Sequence, residues 1–180
     1  MMYLKLYESH QSKEEIHKLC KEYHIEDYTI NSDGELDVQG DVTIIYSKID
    51  KLPLTFNYVG GNFTCYQNGL KTLEGCPRIV GLNFNCSYND LESLEGGPIK
   101  VGGEYNCSMN KLKSLKGCPE YINNNFHCGV NLFKTLEGGP KEVNGDFDCE
   151  DNDLQSLEGA PDKVIGDFRC THCEELKSLK

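Results

Sequence analysis

Tryptophan is absent from the 180 residues, proline occurs six times and methionine three. No stretch approaches the ~20 consecutive apolar residues of a membrane-spanning helix. The opening Met1-Met2-Tyr3-Leu4-Lys5 also lacks the apolar core and small-residue cleavage site of a secretory signal. These absences argue against a membrane anchor and against secretion, so the expected compartment is the cytoplasm. Bases are scarce: 18 Lys and Arg face 29 Asp and Glu, a formal charge of -11. That balance opposes direct contact with nucleic-acid phosphate. No glycine-rich phosphate loop is present, and His10, His17, His24, His127 and His172 fall into no recognisable nucleophile motif. Cys170-Thr171-His172-Cys173 alone has metal-ligand spacing, but Cys170 belongs to the repeat described next, and the cluster reads as a terminal coil. The expectation is a chain that is not an enzyme, with no cofactor and no metal.

Cysteine, by contrast, is plentiful. Six of the ten, Cys65, Cys86, Cys107, Cys128, Cys149 and Cys170, recur every 21 residues. Such regularity marks a repeat rather than a disulfide framework, and reduced cysteine behaves as a small core hydrophobe. Other columns fall into register with it. An aromatic stands two residues earlier (Phe63, Phe84, Tyr105, Phe126, Phe147, Phe168) and a branched aliphatic four before that (Val59 through Val164). Asn68, Asn89, Asn110, Asn131 and Asn152 follow the cysteine, then two leucine columns and a Gly-x-Pro turn. The unit is aromatic-x-Cys-x-x-Asn-x-Leu-x-x-Leu-x-Gly-x-Pro-x-x-Val, the register of a leucine-rich repeat.

Aromatic-x-Cys has the period of a strand, so both side chains face inward and their neighbours outward. The asparagine amide is placed to satisfy backbone groups of adjacent coils. The Val-x-Gly step, with Gly61, Gly103, Gly145, Gly166 and Asn124, suits a left-handed backbone. Cys76 and Cys118 read as small turn residues open to thiol reagents. The Val42 row, with Ile44, Ser47, Ile49 and Leu52, is a degenerate transition coil, and Leu176 and Leu179 continue the leucine columns at the other end.

The first forty residues break the pattern. Ser12-Lys13-Glu14-Glu15 forms a capping box ahead of Ile16, Leu19, Cys20 and Tyr23, the spacing of an amphipathic helix. Tyr28-Thr29-Ile30 and Glu35-Leu36-Asp37-Val38 flank Ser32-Asp33-Gly34, a hairpin signal. Tyr3, Leu4 and Leu6 suit a further strand. The expected organisation is an N-terminal cap of helix and hairpin over residues 1–40 and a solenoid over 41–180. Its fold class is an α+β repeat protein: a leucine-rich-repeat-like solenoid of 21-residue coils, each with one short parallel strand.

The phrase Phe147-Asp148-Cys149 through Leu154-Gln155-Ser156-Leu157-Glu158-Gly159-Ala160-Pro161, with Tyr28 to Gly34 leading into Val38-Gln39-Gly40-Asp41-Val42, resembles short leucine-rich-repeat proteins common in tailed bacteriophages. The resemblance covers nearly the whole chain, and it implies a protein acting in the cytoplasm of an infected bacterium.

The outward strand face is the candidate site. Its centre column is Thr64, Asn85, Asn106, His127, Asp148 and Arg169. On one side lie Asn62, Asn83, Glu104, Asn125, Asp146 and Asp167, and on the other Tyr66 and Glu150, with Tyr88 and Met109 alongside. Acidity concentrates at the ends: residues 1–40 hold four bases against nine acids, 141–180 five against eleven, while 41–140 balance at nine each. A neutral, amide- and aromatic-rich centre suits protein contact. The expectation is a non-enzymatic protein-binding module, an inhibitor or modulator of a host enzyme or defence protein. An acidic nucleic-acid mimic, blocking a DNA- or RNA-binding host protein, and a virion component are the alternatives. A monomer is favoured slightly over an end-to-end homodimer.

Overall fold

A computed structural model describes residues 11–177. Tyr3, Leu4, Leu6 and Leu179 lie outside the described residues. Helix α1 (Lys13–Glu22) starts where the Ser12 side chain accepts the Glu15 backbone N–H at 3.2 Å. It buries Ile16 and Cys20. Hairpin strands β1 (Tyr28–Ile30) and β2 (Leu36–Val38) pair antiparallel, and β2 continues parallel into Phe56–Val59. The hairpin is therefore the first member of a sheet that runs on through the repeats.

From there the chain is a β-solenoid of about six stacked 21-residue coils. Its front sheet has seven parallel two-residue strands: Val42–Thr43, Phe63–Thr64, Phe84–Asn85, Tyr105–Asn106, Phe126–His127, Phe147–Asp148 and Phe168–Arg169. At ~4.8 Å per strand this row is about 29 Å long. The Val42 row pairs in register with Phe63–Thr64, as a transition coil should. The aromatic column forms a stack inside, with ring centroids 4.9 to 5.9 Å apart from Phe63 to Phe168. Next to it the Cys65 to Cys149 column is fully buried. Tyr105 is the one hydroxyl in the aromatic stack; its oxygen has no hydrogen-bond partner among the described residues.

Each coil also contains a second short strand, made by the branched-aliphatic column. Phe56–Val59, Ile79–Val80 and Lys100–Val101 extend the hairpin sheet, while Tyr121–Ile122, Glu142–Val143 and Lys163–Val164 form a separate one. The division falls where a glycine column ends. A Cβ on Gly81 or Gly102 would collide with the carbonyl of Gly60 or Gly81, one coil before. After Gly60, Gly81 and Gly102 the same position is Asn123, which carries a Cβ, and there Val101 O accepts from the Asn123 side chain at 3.3 Å.

The asparagine column is the polar spine. Asn110 Nδ2 donates to Cys86 O and Cys107 O at 3.1 Å each, and Asn110 Oδ1 accepts from Leu91 N at 3.1 Å. Asn89, Asn131 and Asn152 repeat the arrangement. Each asparagine thus ties its own coil to the one before. The Gly-x-Pro punctuation is a tight turn whose third residue, Gly75, Gly96, Gly117, Gly138 or Gly159, has φ between +80° and +99°. A left-handed third residue is the requirement of a type II turn.

Two sequence expectations need correction. Gly61, Gly103, Gly145, Gly166 and Asn124 are not left-handed. At the glycines the constraint is space instead: a Cβ on Gly145 would come 2.7 Å from Asn124 C, and one on Gly166 2.8 Å from Asp146 N. Cys76 is not open to reagents; it is 5% exposed, because its turn folds inward against the cysteine column. Cys118 is partly covered, and burial pushes its thiol up to about 12. Burial raises the Cys76 thiol as well, so little thiolate is available at either position. At the far end Phe168 is 37% exposed and Leu176 packs on the last coil.

Candidate interaction face

The front sheet holds the outward columns in parallel register, so residues 21 apart in sequence stand side by side. Their roles differ by column. Asn62, Asn83, Asn125 and Asp146 form a second ladder: their side-chain oxygens accept the backbone N–H of Asn83, Glu104, Asp146 and Asp167, at 2.8 to 3.2 Å. The sequence points to these residues as partner contacts, and the structure gives them a coil-to-coil bond as well. The ladder skips Glu104, whose carboxylate faces His127.

In the centre column the Oδ1 atoms of Asn85, Asn106 and Asp148 each accept the N–H two residues on, from Ser87, Ser108 and Glu150 at 3.0 to 3.1 Å. Asn and Asp are equivalent in this bond. What differs is the outward group, since the Asn85 and Asn106 NH2 groups have no protein acceptor among the described residues. Thr64 is partly exposed in the same column.

The lower half of the face is a charge network. His127 lies between Glu104 (Nε2 to Oε2, 3.7 Å) and Asp148 (Nδ1 to Oδ2, 3.5 Å). The Asp148 carboxylate draws the imidazole above its ordinary value, Glu104 adds to the pull, and partial burial opposes it. Asp148 is lowered in turn by His127. Arg169 bridges Asp146 at 2.9 Å and Asp167 at 2.8 Å, and its pKa rises accordingly. A raised histidine contributes stability that is complete below its unfolded value of ~6.5 and is lost as pH rises through the folded value. A depressed aspartate contributes above its unfolded ~3.9 and fails as pH falls through the folded value. The melting temperature of wild type minus that of His127→Gln should therefore be largest near pH 5 to 6 and shrink above pH 8. An equal difference at both would overturn the pairing.

The other flank begins with Tyr66, whose hydroxyl meets that of Tyr46 at 2.8 Å. Ser87 and Gly129, in the same column, are buried rather than outward. Beyond it runs a column the sequence did not reveal: Tyr46, Gln67, Tyr88, Met109, Val130, Asp151 and His172 all have φ between +52° and +56°. A left-handed β-branched residue such as Val130 is a backbone outlier, of the kind that concentrates at functional sites. Sequence reasoning included Tyr88 and Met109 but missed Val130 and Leu132, both exposed. For Leu132 the available signal was an apolar residue in a column that otherwise holds Lys48, Gly69, Asp90, Lys111, Asp153 and Glu174.

Among the described residues no group of three or more His, Cys, Asp or Glu could hold a metal ion. Nor is any helix there long and apolar enough to cross a membrane. Fold and face together define a β-solenoid repeat protein with a largely polar outward face on its front sheet. No protein-family model, curated protein or solved structure matches the chain in comparison.

Proposed function

We propose that the chain is a non-enzymatic protein-binding module that holds another protein on its front sheet. The supporting observation is the neutral zone at its centre. Asn85 and Asn106 present amide donors unused by the fold, beside exposed Tyr88, on a sheet held rigid by two side-chain ladders. Rigid aromatic and amide groups suit contact, because little conformational entropy is lost when they bind. In the bacteriophage setting implied by the resemblance, the partner is a host enzyme or defence protein, met in the bacterial cytoplasm and inhibited or modulated there.

The acidic-mimic reading has less support. Asp146, Asp148 and Asp167 face Arg169 or His127, which neutralises part of the row that would have to resemble phosphates. The test follows from the column chemistry. Asn106→Asp keeps the bond to Ser108 N–H, as Asp148 does with Glu150, yet removes the outward donor. Asn85→Asp with Asn106→Asp, and separately Tyr66→Ala, should reduce retention of a partner captured on tagged wild type at least tenfold. Melting temperatures should barely move, since surface changes stay within ~0.5 kcal/mol. Full retention by all of these variants refutes the face. A complex that dissolves steeply with added salt supports mimicry instead.

A further inference from the structure

Tyr88, Met109 and Val130 stand on three consecutive coils along the edge of the front sheet. Tyr88 N–H bonds Ser108 O and Met109 N–H bonds Gly129 O, at 3.1 and 3.0 Å, while Asn110 N–H bonds Val130 O at 3.3 Å. The three side chains are therefore about one strand spacing, ~4.8 Å, apart. Tyr88 is 52% exposed, Val130 41%, and Leu132, two residues on, 43%. Gln67, Asp151 and His172 occupy the same left-handed column with polar side chains. Solvation alone therefore does not call for apolar groups here, and a left-handed valine is held against its own backbone preference.

One coil further the chemistry changes sign. Asp151 and Asp153, both exposed, take the places of Val130 and Leu132, with Glu150 beside them. Asp151 faces His172 at 3.5 Å, whereas Asp153 makes no ion pair among the described residues. A second copy of this chain, at net charge -11, is a poor match for that end. A cationic segment is a good one.

Resting on the protein-binding reading, we propose that this edge is the docking site for a peptide segment of the partner, with apolar side chains at one end and Lys or Arg at the other. The apolar groups lie on Tyr88, Met109, Val130 and Leu132, and the cations meet Asp151 and Asp153. The free amides of Asn85 and Asn106 are placed beside the segment to donate to its carbonyls.

Fluorescein-labelled 12-residue peptides provide the probe, measured by anisotropy on the full chain. One apolar half is joined in three arms to Lys and Arg, to Asp and Glu, or to Ser and Gln; a fourth arm is basic without apolar residues. The apolar–basic arm should bind at least tenfold tighter than the acidic arm. Val130→Gly relieves the left-handed backbone as it removes the side chain, so binding should fall tenfold while the melting temperature holds or rises. Asp151→Lys with Asp153→Lys should transfer the preference to the acidic arm. Equal binding of all arms, no binding in any, or basic peptides binding as well without apolar residues overturns the proposal. A captured partner retained by Val130→Gly but lost from Asn85→Asp/Asn106→Asp overturns this docking site and leaves the front-sheet reading standing. Retention by both sets and by Tyr66→Ala overturns both.

Discussion

Phe126→Ala is expected to lower the melting temperature by roughly 10 °C, from a loss of ~3–5 kcal/mol and ~2–4 °C per kcal/mol for a chain of this size. The ring is fully buried, and its centroid lies 5.5 Å from those of both Tyr105 and Phe147, its counterparts in the coils on either side. In a solenoid each coil touches only its neighbours, so a cavity in the middle of the stack weakens two coil interfaces at once. The matched control is Phe168→Ala. That ring has a stacking neighbour on one side, Phe147, and is already 37% exposed, so its loss should cost far less. Thermal or urea unfolding measures both, and equal costs would overturn the picture of a continuous internal stack.

Asn110→Ala should destabilise the chain by ~1–3 kcal/mol, because Leu91 N–H loses its acceptor in a buried place and the Cys86 and Cys107 carbonyls lose a donor. Asn110→Asp is the sharper variant. It retains an acceptor for Leu91 N–H but sets a carboxylate against the carbonyls of Cys86, Cys107 and Ser108. Desolvation and that repulsion raise its folded pKa above the unfolded ~3.9. The penalty is therefore absent where the acid is protonated and grows as pH rises above ~3.9. Relative to wild type, Asn110→Asp should be least impaired near pH 4 and most impaired near pH 7. A pH-independent deficit, or none, would show that the spine does not carry these bonds.

Much of this was legible in the sequence because a repeat averages over its own copies. A single Phe-x-Cys says little, but six aromatic-x-Cys pairs at a spacing of 21 locate the strand, its inward face and the asparagine spine. The Ser12 helix cap and the hairpin were readable for a different reason, as they depend on local backbone chemistry alone. The second strand of each coil escaped because Ile79–Val80 and its counterparts are two residues long, too short for any periodicity.

The 21-residue period, the inward columns and the acidic ends are properties of the chain itself, since they follow from residue type and spacing. Only the folded stack decided what each outward residue does. Asn62 and Asn106 look alike in sequence, yet one oxygen accepts from the next coil and the other from its own turn. Stacking likewise brings Tyr88, Met109 and Val130 together and turns their backbones left-handed. The physical reason is that hydrogen bonds between coils join residues about 20 apart, and the geometry of such bonds is set by how one coil sits on the next.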